Sequence, residues 1–332
     1  MIYIDGIEYI ESDNDKVRSA VIDYLENWTV TVSTSGTTGE PKTFQHSPAL
    51  MQQIAEYNAD WMDLTSNSTM MSLYNPRGIG FTSMSLYPCA IANCDVFIET
   101  TVSNYPDRLR EINPTHTLIL PNVWKTWHRH KKWKELDLSN LKHMQVGSDV
   151  TPNGLMEDLR SKGAQKVTTA YGSTEVPPIV MSTEKQDIYH FNDIHPEIDY
   201  KNINHEDGSI EWVCKWKDQQ EYWHSGDLIE YTDDGEFFFA GRKHNSFKME
   251  NCGDRVYPEQ IEKVAIDSGA DLALCRKEGH NCVVYYTGTM NTQLFLNNHR
   301  CAYEIIPKEV AHIEVDDNLR KVKRNQIIGQ II

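Results

Sequence analysis

The nine residues Thr34-Ser35-Gly36-Thr37-Thr38-Gly39-Glu40-Pro41-Lys42 gather hydroxyl donors, two glycines and a lysine into one short stretch. Glycines let successive backbone N–H groups turn toward one anion, and hydroxyls and an ammonium add charge-assisted donors, so the stretch suits a polyphosphate. It is not a Walker loop, whose spacing requires glycine directly before the lysine, where Pro41 stands. Tyr171-Gly172-Ser173-Thr174-Glu175 follows the β-branched run Lys166 to Ala170. An aromatic face, hydroxyls and a carboxylate thereby fall at the carboxyl end of a strand, the edge where α/β sheets bind ligands. His224-Ser225-Gly226-Asp227-Leu228 offers a carboxylate in a tight turn, suited to accepting two hydrogen bonds from a diol such as ribose. Gly241-Arg242-Lys243, the segment Gly253 to Glu262 and Arg320-Lys321-Val322-Lys323-Arg324 complete the set. Each has a plainer explanation when read alone. Gly-Thr-Thr-Gly is usually a loop, Tyr171 a core aromatic, Asp227 a turn-former beside Gly226 and Glu175 a helix cap.

Taken together and in this order, these motifs resemble the adenylate-forming superfamily: acyl- and aryl-CoA synthetases, peptide-synthetase adenylation domains and luciferases, with o-succinylbenzoate–CoA ligases as the nearest variety. Thr34 to Lys42 matches its phosphate loop, Tyr171 to Glu175 its Tyr-Gly-x-Thr-Glu, Ser225-Gly226-Asp227 its Thr-Gly-Asp with one conservative change, and Gly241-Arg242 the start of its hinge. The resemblance runs from about Thr29 to Lys321. It implies an α/β fold: a large AMP-binding domain over 1–241 with mostly parallel sheets, and a small mobile α+β lid over 242–332. It implies activation of a carboxylic acid by Mg²⁺-ATP to an acyl-adenylate, then transfer to the thiol of CoA or phosphopantetheine. Thr34, Ser35, Gly36, Thr37, Thr38, Gly39 and Lys42 would hold the β- and γ-phosphates, and Gly147, Ser148 and Gly172 would line the nucleotide. Tyr171 would stack on adenine, Thr174 bond the α-phosphate and Glu175 hold Mg²⁺. Asp227, helped by Arg242, would bind the ribose hydroxyls, and Lys321 would bridge the attacking carboxylate and the α-phosphate. Two alternatives stay open: transfer to an amine or hydroxyl without CoA, and a degenerate nucleotide-binding regulatory protein.

The chain departs from the family in several places. Only 33 residues precede Thr34, so a reduced first subdomain is expected, and a homo-oligomer is one way to replace its cover. His244 stands at the hinge position, usually Asp or Lys, and four residues separate Lys248 from Gly253 where two are typical. Arg320 replaces a glycine before Lys321, which makes Lys323 its rival. Ile79 to Met84 contains no Asp that would hold an α-amine, so a free α-amino acid is disfavoured, and Arg77 is a candidate partner for a second carboxylate.

These groups need elements to position them. Residues 2–10 alternate around Asp5-Gly6, a hairpin signal, and Val17, Ala20, Val21, Tyr24, Leu25 and Trp28 line one helical face. Ser47-Pro48 caps a second helix. Runs at 69–73, 95–98, 115–120 and 166–170 read as buried strands alternating with helices, which implies a mostly parallel sheet. From Ser209 the texture becomes hairpin-like, with strands at 210–216 and 236–240; beyond Pro258 a helix, strands at 272–275 and 282–286, a helix at 292–301 and a strand at 311–315 are expected.

Composition narrows the partners. Hydrophobic residues at 39% support a packed core, while a formal charge of −16 repels phosphate backbones and excludes nucleic acid as an expected partner. No apolar run reaches the roughly 18 residues of a membrane span, and no basic leader precedes one, so a cytoplasmic location is expected. Seven scattered cysteines without a Cys-x-x-Cys pair point to free thiols. The basic stretch His128 to Lys134 reads as a solvated helix face, with the acidic surface of an acyl carrier protein as the alternative.

Overall fold

The computed structural model describes residues 1–9, 11–33, 43–76, 78–176, 180–250, 252–298 and 303–310. Thr34 to Lys42, Arg77, Lys321, Lys323 and the strand expected at 311–315 therefore lie outside the described residues. The chain divides into two compact units, 1–149 with 154–186 and 150–153 with 187–332.

In the first unit, β1 (Ile2–Ile4) and β2 (Ile7–Glu8) form the expected hairpin. Its turn residues Asp5 and Gly6 have φ of 48° and 89°, the left-handed conformation that a two-residue turn demands. β3 (Val30–Ser33) and β4 (Thr43–His46) pair antiparallel as a separate ribbon. β5 (Thr69–Ser72), β6 (Asp95–Ile98), β7 (His116–Ile119), β8 (His143–Val146), β9 (Val167–Tyr171) and β10 (Met181–Thr183) join the first hairpin. The result is an eight-stranded sheet of order β10-β9-β8-β7-β5-β6-β1-β2. From β9 to β1 every neighbouring pair is parallel, and only the two edge pairings are antiparallel. This is the expected mostly parallel α/β sheet, and it puts the carboxyl ends of β5, β7, β8 and β9 on one edge.

Helices cover the sheet. Asp15–Asn27 buries Val17, Val21 and Tyr24. Pro48–Trp61 starts where predicted, the Ser47 hydroxyl accepting from the Leu50 N–H at 3.3 Å, and buries Met51, Ile54 and Ala55. Tyr105, Leu109, Trp133, Leu155 and Leu159 pack with Met71, Ile119, Met144 and Val146 in one core, each such side chain contributing about 1.5–3 kcal/mol on burial. β8 was not expected from sequence. His143 and Gln145 interrupt the apolar run that marks a doubly covered strand, yet the strand is buried along its whole length.

In the second unit, β11 (Ile198–Asn204), β12 (Ile210–Trp216), β13 (Asp227–Tyr231) and β14 (Phe237–Arg242) form an antiparallel sheet in chain order. Gly241 and Arg242 close its last strand. After the short ribbon β15 (Phe247–Lys248) and β16 (Arg255–Val256), the helix Pro258–Asp267 opens on proline, and Gly269 follows it with φ of 108°. β17 (Ala270–Glu278), β18 (Asn281–Gly288) and β19 (Ile305–Glu309) make a three-stranded sheet. Sequence reading assigns no strand to β19; its Pro307 is tolerated because β19 is the sheet's edge. Ile261, Ala265 and Phe295 from the flanking helices pack with Cys275, Cys282 and Val284.

Candidate functional site

Within the first unit, β8 and β9 are adjacent and parallel, with Gln145 opposite Thr168 and Val146 opposite Thr169. Gly147-Ser148 and Tyr171 to Glu175 consequently leave the same sheet edge side by side. Ser148 has φ of 75°, a left-handed conformation that costs a residue with a Cβ about 1–2 kcal/mol and that clusters at ligand sites. Tyr171 ends β9 and is half-buried, as are Thr174 and Glu175. The Ser173 hydroxyl accepts from the Val176 N–H at 3.1 Å and folds the loop back on itself.

His46 has no role in the sequence motifs, yet the structure joins it to them. It ends β4, is 5% exposed, and its Nε2 lies 2.9 Å from the Thr174 carbonyl oxygen. A carbonyl only accepts, so Nε2 carries the hydrogen. Burial pushes the His46 pKa down while the bond to Thr174 pulls it up; the net effect is downward and the ring is neutral. The β3–β4 ribbon, whose connection is the stretch Thr34 to Lys42, is thus tied directly to the loop carrying Thr174 and Glu175. No local pattern around position 46 announces this contact, which spans 128 residues of chain.

Within the second unit, Asp227 opens β13 opposite Arg242 at the end of β14, and Arg242 Nε lies 3.1 Å from Asp227 Oδ1. The Asp227 N–H donates to the Ser225 hydroxyl at 3.0 Å, Gly226 takes φ of 75°, and its carbonyl accepts from the Lys243 N–H at 2.8 Å. The predicted carboxylate and arginine are therefore brought together by strand pairing. One strand over, the buried Glu211 faces three bases: His205 Nε2 at 2.8 Å, His224 Nδ1 at 3.4 Å and Lys243 Nζ at 3.5 Å. Burial pushes the Glu211 pKa up, but the His205 hydrogen bond and the charges of Lys243 and His224 outweigh it and hold the carboxyl below its usual range.

Glu175 lies in the loop after β9 and Asp149 follows Ser148 in the neighbouring loop, and no group of three or more His, Cys, Asp or Glu side chains among the described residues is placed to hold a metal. A single carboxylate suits a divalent ion that takes its remaining oxygens from a bound polyphosphate and water.

Residues 13–206 match the family described as AMP-binding enzyme. Indoleacetate–CoA ligase of Aromatoleum aromaticum (strain DSM 19018 / LMG 30748 / EbN1) is 21% identical over 263 residues, 71% of this chain and 51% of that protein. The chain spans about half the length of the curated relatives it matches. Among solved structures, the anthranilate CoA ligase AuaEII in complex with anthranoyl-AMP superimposes with a TM-score of 0.74 at 16% identity, over 90% of this chain and 66% of that one. O-succinylbenzoate coenzyme A synthetase from Bacillus subtilis in complex with ATP and magnesium ion gives 0.72 at 17% identity, over 90% and 69%. The fold is that of these ligases.

Proposed function

This chain belongs to the AMP-binding enzyme family, within the adenylate-forming superfamily, and from that premise we propose that it activates a carboxylic acid with ATP and passes the acyl group to a thiol of CoA or a pantetheinyl carrier. In the first step a carboxylate oxygen of the acid bonds to the α-phosphorus, the bond from that phosphorus to the bridging oxygen breaks, and pyrophosphate leaves. In the second, the thiol sulfur bonds to the acyl carbon, the bond from that carbon to the phosphate oxygen breaks, AMP leaves and the thiol proton is released to solvent. Charge accumulates on phosphoryl oxygens in the first step, so the main contribution a protein can make is prepositioned donors and cations.

The observation that carries this reading is the shared sheet edge: Gly147-Ser148 and Tyr171 to Glu175 emerge together there, with His46 joining the β3–β4 ribbon to them. On this reading Tyr171 offers its ring to adenine, Thr174 its hydroxyl to the α-phosphate, and Gly147, Ser148 and Gly172 line the nucleotide. Thr34 to Gly39 and Lys42 hold the leaving pyrophosphate, Asp227 with Arg242 takes the ribose diol, and Lys321 neutralises charge between acid and α-phosphate. Glu175 would hold Mg²⁺, which neutralises phosphate charge when bound. Residues 242–332 act as the lid, hinged at Gly241-Arg242. Support for the acceptor comes from the relatives, whose names are those of CoA ligases.

Acid-dependent exchange of labelled pyrophosphate into ATP tests the first step over a panel of acids. Exchange with at least one acid is expected; measurable ATP binding without exchange for any acid would overturn the reading. Lys321→Ala should abolish exchange and leave ATP affinity within about threefold, and an active variant would move the role to Lys323.

A further inference from the structure

Paired positions in parallel strands share a face, so His143 and Gln145 of β8 line up with Met70 of β5, His116 and Leu118 of β7 and Thr168 of β9. That face borders a cavity of about 10 Å³, room for one water or one hydroxyl group, among Met62, Met70, Met84, Tyr74, His143 and Gln145. Polar side chains on a doubly covered face cost stability unless they are bonded. His116 meets that demand through Met62 O and the Thr115 hydroxyl, each at 2.8 Å, and His143 Nε2 through the Thr168 hydroxyl at 2.9 Å.

Gln145 lines the same cavity without such a bond: the residue is 7% exposed, its carboxamide makes no hydrogen bond with a described residue, and its amide atoms are not among the fully enclosed, unpartnered ones, so they keep accessible surface. A Cβ added to Gly147 would lie 3.9 Å from Gln145 Nε2, so the amide sits just beneath the edge from which Ser148 and Tyr171 emerge. The Tyr74 ring closes the cavity because position 80 is glycine; a Cβ there would stand 2.7 Å from Tyr74 Cε1. Among the described residues the lining contains no carboxylate, lysine or arginine, and burial pushes His143 down to about 3, so these walls are neutral. A neutral wall disfavours an ammonium or a second carboxylate. A carboxamide both donates and accepts, and a hydroxyl is the one-atom group that answers both. Three methionines make the remainder of the wall flexible and apolar.

We propose that Gln145 selects the acid: it hydrogen-bonds a hydroxyl at the end of the substrate remote from its carboxylate, so the preferred substrates are compact hydroxy-substituted acids. This rests on the adenylation reading above. A site built to bond a buried hydroxyl rejects the analogue lacking it strongly, whereas an apolar pocket barely distinguishes the two.

The test compares hydroxybenzoates and ω-hydroxyalkanoates with methyl analogues of equal size and with dicarboxylates, by pyrophosphate exchange and by calorimetric acid binding, in wild type, Gln145→Leu and Gln145→Met. Wild type should favour the hydroxy member by at least about tenfold, and both variants should erase or reverse that ratio while keeping ATP affinity and the far-ultraviolet circular dichroism spectrum. Exchange with an unchanged ratio in the variants, or a preference for dicarboxylates, overturns the proposal and leaves the proposed reaction standing. Gln145-dependent binding of hydroxy acids without exchange overturns the reaction and keeps the pocket. Neither binding nor exchange for any acid overturns both.

Discussion

A single imidazole connects the β3–β4 ribbon to the Tyr171–Glu175 loop. His46 accomplishes this with one hydrogen bond to a backbone carbonyl, from a position where a neutral ring is enforced by burial. Loss of the bond leaves the Thr174 carbonyl without that donor and frees the loop that carries the proposed site residues Tyr171, Gly172, Thr174 and Glu175. A misplacement of that kind costs rate more than binding. His46→Ala is expected to lower acid-dependent pyrophosphate exchange by about 10- to 100-fold with a smaller effect on the KM for ATP. Glutamine can place an N–H near the Nε2 position, so His46→Gln should recover part of the loss, and equal defects in the two variants would count against a positioning role. At this scale the motif residues were readable because their chemistry is local: glycines, hydroxyls and carboxylates in short runs. His46 and Gln145 were not, because what distinguishes each is a neighbour, or the lack of one, on a distant segment.

Elements account for the next level. Strand pairing alone places Asp227 beside Arg242 and Glu211 opposite Leu228, so one antiparallel sheet builds both an ion pair and a buried carboxylate among His205, His224 and Lys243. The bases around Glu211 hold its pKa below the ordinary 4.5, so the stabilisation it provides is present above that pH and is lost as pH falls through the lower folded value. Glu211→Gln should cost about 1–3 kcal/mol in urea unfolding at pH 6, and the gap to wild type should close below about pH 4.5. A gap that persists unchanged into acid would mean the charge is not what matters. The strands expected at 210–216 and 236–240 were legible from alternation and turn residues and form as β12 and β14, whereas β8 was hidden: its polar residues look like those of a surface segment, although they line an interior cavity.

At the scale of the whole molecule, the first unit buries three histidines, His46, His116 and His143, whose pKa values are all lowered chiefly by desolvation. The unfolded chain binds protons at these sites below about 6.5 and the folded chain does not, so stability should fall as pH drops from 6.5 toward the folded value of about 3 for His143. In that window His143 contributes up to about 1.4 kcal/mol per pH unit, with His46 and His116 acting in the same direction, and His143→Gln should flatten the stability–pH curve between pH 6 and 4 by about that slope. No helix among the described residues is long and apolar enough to cross a membrane. The sequence by itself determined the fold class and the family, since periodicity, turn chemistry and short polar motifs are encoded within a few residues of one another. Only the tertiary structure decided that Asp227 meets Arg242, that His46 holds the Thr174 loop, and that β8 is a central strand whose Gln145 borders a one-hydroxyl cavity. Strand order and register set those relations, and they depend on pairings between segments tens to more than a hundred residues apart.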